Sequence, residues 1–163
     1  MQEGLARAGF GTRAFYTTLF VLRIALGGAF LEAGLTKLLS GTFSAAGFLS
    51  HSQGPFANIY IGLANNTTLL PVINNLVMWG ETLIGIALIL GILVRFASFW
   101  GIVQMILYYT VSLPPSTGWI SQQIIYIVVF VTFMFSGIGY FIGLERLIVK
   151  REEKKHPLRL LGG

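Results

Sequence analysis

The chain has 163 residues, of which 55% are hydrophobic and only 10% are charged, whereas a soluble domain usually carries about a quarter charged residues. This composition excludes an ordinary soluble domain and predicts a small integral membrane protein. The absence of cysteine excludes disulfides, thiolate catalysis and cysteine-bound clusters, and two histidines are too few for a bis-histidine haem or a histidine metal site in the bilayer.

Four apolar segments are predicted as membrane helices, because each is near the ~20 residues that cross a bilayer core. They run over about 15–39, 69–94, 96–113 and 119–142. None shows the strict alternation of a barrel strand, and only helices or closed barrels satisfy their backbone groups in lipid. The sequence therefore predicts an all-α protein, in which residues 1–163 form a single transmembrane domain, an integral membrane four-helix bundle with a basic tail at 146–163.

The basic residues predict the orientation of these helices. Lysine and arginine precede the first segment, follow the fourth, and occur at Arg95 between the second and third. The other two loops, 41–68 and 114–118, carry no charged residue. By the positive-inside rule both termini are expected in the cytoplasm of a multi-pass protein of the cell membrane. The same asymmetry accounts for the net charge of +5, so no nucleic-acid partner is expected.

The long outer loop between the first two helices is uncharged and rich in aromatic residues. It is expected to fold back on the outer membrane face or to cap the helix bundle. Overlapping triplets that begin at Asn65 and Asn66 fit the pattern of N-glycosylation acceptors and lie on the predicted outer side. The pattern is short, and a chance occurrence explains it equally well.

Charged residues within the first two helices are the main sequence signal for a site. One face of the first helix carries Arg23, Gly27, Phe30, Gly34 and Lys37. One face of the second carries Asn74, Glu81, Gly85, Leu88 and Arg95. Because the two helices run antiparallel, Arg23 and Glu81 are expected to meet at similar depth. Glu32 lies about 180° from Arg23, so a contact with another protein is predicted there.

Two interpretations of the expected Arg23–Glu81 pair stay open. A charge at the bilayer centre costs a few kcal/mol, which pairing partly offsets. The pair is either structural and fixes the helix register, or part of a mid-membrane pocket that orients a ligand or moves a proton.

The last two helices add polar and aromatic side chains. Gln104 and Tyr108 share a face of the third helix, and Gln122, Tyr126 and Tyr140 share a face of the fourth. Aromatic stripes at helical spacing usually reflect packing. Beside a buried arginine and carboxylate they also suit a quinone, whose ring stacks, whose carbonyls accept hydrogen bonds and whose reduction needs a proton donor nearby. The candidate catalytic residues are Arg23 and Glu81, and the candidate substrate- or quinone-binding residues are Lys37, Asn74, Gln104, Tyr108, Gln122 and Tyr126.

Small residues predict where the helices approach each other. Ala25, Ala29 and Ala33 recur every four residues, and Gly139 and Gly143 form a GxxxG. Such spacing lets helix backbones pack closely in lipid.

Three stretches resemble the DoxX/DoxD family of four-helix membrane proteins. They are "LRIALGGAFLEAGLTKL", "GETLIGIALILGILVRFAS" and "SGIGYFIGLERLI". The positions that match the family pattern are Arg23, Gly34, Lys37, Glu81, Gly85, Gly91, Arg95, Ala97, Gly137, Gly139 and Leu144. The chain departs from the pattern at Glu145, where the family typically has aspartate.

The resemblance implies a membrane subunit of a redox system. DoxD-like members form part of archaeal thiosulfate:quinone oxidoreductase, and other relatives accompany terminal oxidases. A quinone is the implied cofactor, and the implied partners are a second small thiosulfate-oxidising subunit or a terminal oxidase. Lys37, with Arg23 one or two turns deeper, is expected to attract an anion such as thiosulfate. A non-catalytic accessory subunit is the rival, and a small transporter or proton path ranks last.

Overall fold

Residues 2–114 and 119–136 are described by the computed structural model, with side chains from residue 11 onward. These residues form six α-helices and no strand, which confirms the all-α prediction. The helices are α1 (Gln2–Ser40), α2 (Ala46–Ser50), α3 (Ala57–Ala64), α4 (Leu69–Leu90), α5 (Val94–Val111) and α6 (Gln122–Ser136). Some of the predicted features lie outside the described residues. They are the end of the predicted fourth helix at 137–142 with Tyr140, the residue Gly143, the motif residues Gly137, Gly139, Leu144 and Glu145, and the tail 146–163.

Two helices are long and apolar enough to cross a membrane, at Gly11–Ser40 within α1 and at Leu69–Leu90 in α4. α1 begins at Gln2, well before the expected start near residue 15, and has 39 residues. At 1.5 Å per residue it is about 58 Å long, so it extends beyond a hydrocarbon core of about 30 Å. α1 is therefore longer than one crossing of a bilayer requires.

A tight turn makes α4 and α5 antiparallel neighbours. α4 ends at Gly91, whose φ of 68° is left-handed, and the N–H groups of Gly91 and Ile92 bind the carbonyls of Leu88 and Ala87. Leu93 follows with a φ of 51°, which is uncommon for a residue other than glycine. α5 begins at Val94, so Arg95 lies in its first turn.

Glycines bring α1 and α4 into close contact. A Cβ added at Gly34 would lie 2.9 Å from Thr82 Cα, and one at Gly85 would lie 2.7 Å from Leu31 Cα. No side chain fits in this space, so the two backbones pack directly. The predicted small-residue stripe at Ala29 and Ala33 lies elsewhere, on the wall of a cavity.

A buried core joins the four long helices. It consists of Leu19, Leu26, Phe30, Ile84, Leu88, Val94, Met105, Phe130 and Phe133. Phe30 of α1 meets Phe130 of α6 edge to face, with ring centroids 5.2 Å apart. Large apolar side chains also cover the outward faces; Leu76, Leu83, Phe96, Leu107 and Val128 are all more than half exposed. Such an outer surface suits contact with lipid tails.

The two short helices cover the ends of α4 and α5, and we call this the capped end of the fold. A second core, formed by Ala45, Leu49, Ala64 and Val111, lies beneath them. Tyr60 and Thr110 share a hydrogen bond of 2.7 Å between their hydroxyls. The loop thus adopts one of the two expected arrangements, a cap on the helices.

Candidate functional site

A cavity of about 560 Å³ lies among the long helices toward the capped end. Five of its lining residues are candidates from the sequence: Lys37, Glu81, Tyr108, Gln122 and Tyr126. The others are Ala29, Phe30, Glu32, Ala33, Thr36, Met105 and Gln123. Its volume falls in the range of small-molecule sites, and its lining combines apolar walls with a few polar groups, as such sites do.

Glu81 is the centre of a hydrogen-bonded network on one wall of this cavity. The Lys37 ammonium forms an ion pair with Glu81 Oε2, and the Tyr108 hydroxyl donates to Oε1 at 2.7 Å. Gln104 Nε2 donates to the Tyr108 oxygen at 3.0 Å. Glu81 is only 4% exposed, yet both carboxylate oxygens are satisfied, as a buried carboxylate requires. The network joins α1, α4 and α5.

The expected Arg23–Glu81 pair is wrong, because the partner of Glu81 is Lys37. Arg23 lies 14 residues before Lys37, which is about 21 Å or four turns along α1, and not the expected one or two turns. The close approach of Gly34 to Thr82 fixes this register and brings Lys37 to the depth of Glu81. Lys37 is therefore a neutralised cation and no longer a simple attraction point for an anion.

Arg23 lies outside the cavity, in the half of the fold nearer the α4–α5 turn. It is 1% exposed, and its guanidinium lies 5.2 Å from the ring centroid of Phe20, a cation–π distance. Gly27, one turn further along α1, approaches Leu88 near the end of α4. Arg23 does face the protein interior as the stripe predicted, but the structure does not bring it together with the other candidates.

The opposite wall of the cavity comes from α6 and the middle of α1. Gln122 Nε2 donates to the Tyr126 oxygen at 2.6 Å, and the rings of Tyr126 and Phe30 lie 6.0 Å apart. A phenol that accepts one hydrogen bond still has its own O–H to donate. Tyr126 thus brings an aromatic ring and an O–H donor to the cavity lining.

The remaining polar candidates lie at the capped end. Asn74 Oδ1 accepts a 2.8 Å hydrogen bond from the Ala45 N–H, so this side chain anchors the loop and does not line the cavity. Asn65 and Asn66 are both exposed in the turn between α3 and α4. Asn66 Oδ1 also accepts from the N–H groups of Thr68 and Leu69, at 3.0 and 2.9 Å.

Two loop aromatics support the network and were missed by the sequence reasoning. Lys37 Nζ lies 5.6 Å from the ring centroid of Phe43, and Phe48 packs edge to face on Tyr108 at 5.8 Å. The only sequence signal for them was the richness of the uncharged loop in aromatic residues. Thr36, Met105 and Gln123 were also missed, because helical periodicity alone does not show where a cavity forms.

Comparison with known proteins gives one match. A family model described as DoxX matches residues 18–113, more than half of the chain, from the middle of α1 to the end of α5. No curated protein matches the chain, and no solved structure does. Within residues 2–114 and 119–136, no group of three or more histidine, cysteine or acidic side chains could hold a metal ion.

Proposed function

Because the chain belongs to the DoxX family, a membrane-associated family often linked to redox and quinone-related functions, we propose that it is a membrane subunit of a respiratory redox complex. Its cavity binds a quinone in this proposal. The observation that carries it is the juxtaposition, in one cavity, of a buried carboxylate network and an aromatic wall.

The two walls of the cavity have different roles in this proposal. One face of the quinone ring packs on the wall formed by Phe30 and Tyr126, and the Lys37 ammonium and the Tyr126 hydroxyl donate to its carbonyl oxygens. Reduction of a quinone to a quinol takes up two electrons and two protons. Each proton comes from the group that donates to that carbonyl oxygen, the Lys37 ammonium or the Tyr126 hydroxyl, because a general acid must lie within hydrogen-bond reach of the atom it protonates. Glu81 accepts hydrogen bonds from Lys37 and Tyr108, so in this proposal it holds the ammonium in place. Gln104 positions the Tyr108 hydroxyl.

Oxidation of thiosulfate, or of a related small sulfur compound, belongs to a partner subunit in this proposal. The charge of Lys37 is balanced by Glu81, and Glu32 adds a second carboxylate to the cavity lining. This electrostatic environment disfavours a dianion. A second small thiosulfate-oxidising subunit would deliver electrons to the quinone held here, and a terminal oxidase is the alternative partner, as a consumer of quinol.

We also propose that the four long helices cross the plasma membrane as a four-helix bundle with both termini in the cytoplasm. The distribution of lysine and arginine supports this orientation. It places the capped end, the cavity and the exposed Asn65 and Asn66 on the outer side. Glycosylation of either asparagine follows as a proposal, tested by a mass shift after glycosidase treatment of the chain from its native membrane.

Quinone binding is tested by titrating a water-soluble quinone analogue into the full chain in lipid nanodiscs. We expect saturable binding that Tyr126→Phe weakens by roughly 2- to 12-fold, the effect of losing one neutral hydrogen bond of about 0.5–1.5 kcal/mol. Lys37→Met should weaken it by about 12-fold or more, because a hydrogen bond from a charged donor is worth about 1.5–3 kcal/mol. Tyr109→Phe is the matched control, because the Tyr109 hydroxyl donates to the Trp119 carbonyl and does not line the cavity. Absence of saturable binding to the unmodified chain would overturn the proposal.

A non-catalytic accessory subunit is the second candidate, favoured by the fact that the Glu81 network is satisfied within the chain and ties three helices together. Under this alternative, Glu81→Gln lowers the yield of the assembled complex and leaves turnover per assembled complex unchanged. Under the quinone proposal, the complexes that do assemble turn over more slowly.

A further inference from the structure

Glu32 is a second carboxylate in the cavity lining, and it differs from Glu81 in its exposure and in its contacts. It lies on α1 within the apolar segment Gly11–Ser40, about 12 Å along the helix from Ser40. It is exposed, and among the described residues no ion pair or hydrogen bond to its carboxylate is found. A carboxylate at membrane depth is expensive and typically marks a functional site with a partner.

The charge of the cavity lining shows which kind of partner fits. Its described titratable carboxylates and ammonium are Glu32, Lys37 and Glu81. Lys37 is already paired with Glu81, so the carboxylate of Glu32 is the one charge left uncompensated on the lining. A ligand that brings one positive charge would balance it.

Aromatic rings in the same lining favour an organic cation over a small hydrated ion. Phe30 and Tyr126 both line the cavity, with ring centroids 6.0 Å apart. The face of an aromatic ring attracts a cation, most strongly where water is excluded. The apolar side chains of Ala29, Ala33 and Met105 complete a surface that a hydrated metal ion would not fill.

We propose that the cavity binds a lipophilic monocation, a protonated amine or quaternary cation with apolar substituents, through the Glu32 carboxylate and the ring faces of Phe30 and Tyr126. This site is separate in chemistry from the quinone proposal and stands without it. The two ligands share one cavity, so each displaces the other.

The test uses tetraphenylphosphonium as the probe and the full chain in nanodiscs of zwitterionic phosphatidylcholine. Binding is measured by equilibrium dialysis, and empty nanodiscs correct for partition into lipid. We expect saturable binding, and Glu32→Gln weakens it by about tenfold or more, since a lost charged interaction is worth more than a neutral hydrogen bond. Glu152→Gln, the same change in the basic tail, leaves it unchanged. The uncharged triphenylphosphine oxide binds Glu32→Gln and the unmodified chain equally.

Two results would overturn the proposal: no saturable binding to the unmodified chain, or equal affinity in Glu32→Gln. Equal affinity together with the loss from Glu32→Gln of a co-purifying basic protein would assign Glu32 to a protein contact. The quinone analogue is titrated into the same samples. Quinone binding retained in Glu32→Gln shows an intact cavity, and cation binding without any quinone binding refutes the quinone proposal alone.

Discussion

Glu81 is the buried charge around which the cavity is built. Removing a carboxylate from water is costly, and here one ammonium and one phenol offset that cost from two different helices. Lys37 reaches it from near the end of α1, where a quarter of the lysine side chain stays exposed. The network is therefore anchored in the apolar interior on one side and open to the cavity on the other.

Loss of the carboxylate should leave Lys37 without its counter-ion. We expect Glu81→Gln to lower the free energy of unfolding by about 2–3 kcal/mol, near or below the low end for a broken buried pair because Lys37 is partly exposed. The double variant Glu81→Gln with Lys37→Met should regain much of this loss. Thermal unfolding in detergent measures the single and the double variants. If the destabilisation of the double variant equals the sum of the two single effects, Glu81 and Lys37 are not energetically coupled.

α1 and α4 form the closest helix pair of the fold, because glycines remove the side chains that would hold their backbones apart. Gly34 against Thr82, and Gly85 against Leu31, fix how far one helix slides along the other. This register decides that Lys37 and not Arg23 pairs with Glu81. The chemistry of the cavity therefore depends on residues that carry no chemistry themselves.

A single methyl group at Gly34 should disturb this contact. The added methyl group of Gly34→Ala would push against the Thr82 backbone. We expect the free energy of unfolding to fall by about 1–3 kcal/mol, the usual cost of overpacking. Gly28→Ala is the matched control on the same helix, since no atom lies within 4 Å of its added Cβ. There, alanine should be neutral or stabilising, because glycine is the weaker helix former. Thermal unfolding measures both variants. An equal change in the free energy of unfolding at Gly34 and Gly28 would rule out the close approach of α1 to α4.

A side-chain amide of α4 holds the start of the cap, since Asn74 Oδ1 accepts a hydrogen bond from the Ala45 N–H. Asn74→Ala removes the acceptor of the Ala45 N–H and should free the start of α2, at a cost of about 0.5–1.5 kcal/mol. Limited proteolysis should then cut the 41–68 loop faster. Asn75→Ala is the control, since the Asn75 amide donates to the Pro71 carbonyl of its own helix and to no cap residue that the structure describes. A loop that stays equally resistant in Asn74→Ala would show that the cap does not depend on this bond.

At the scale of the whole molecule, a cavity near one end of the long helices is covered by an uncharged cap and surrounded by apolar outward faces. A ligand that reaches it from the bilayer would be apolar, as quinones and lipophilic cations are. The orientation of the chain then determines the side of the membrane from which protons and partner subunits reach the cavity.

The natural absence of cysteine allows a direct test of that orientation. Asn65→Cys in the α3–α4 turn should react with a membrane-impermeant maleimide in intact, right-side-out vesicles. Ile92→Cys in the α4–α5 turn, and Gln2→Cys at the start of α1, should react only after the membrane is opened. Labelling of Ile92→Cys in sealed vesicles would contradict the proposed topology.

Helical periodicity predicted much of this arrangement, because it fixes the direction in which each side chain points. It placed Arg23, Phe30 and Lys37 on the inner face of α1 and Glu81 on the inner face of α4, and all but the partly exposed Lys37 are buried. Periodicity does not fix the axial position of one helix against another. The axial position of α1 against α4 depends on the contacts of Gly34 and Gly85. The sequence therefore did not show that Lys37 pairs with Glu81, nor that Asn74 binds the loop at Ala45.

The central claim, that a quinone occupies the cavity, is tested most directly by photolabelling with an azido-quinone, followed by mass spectrometry of the labelled peptides. Binding in the cavity predicts labels on residues 29–37 of α1 and 122–126 of α6, which an excess of unlabelled quinone prevents. Labels confined to outward-facing residues such as Leu76, Trp79 and Leu83, unaffected by competitor, would mean that the quinone only dissolves in the surrounding lipid.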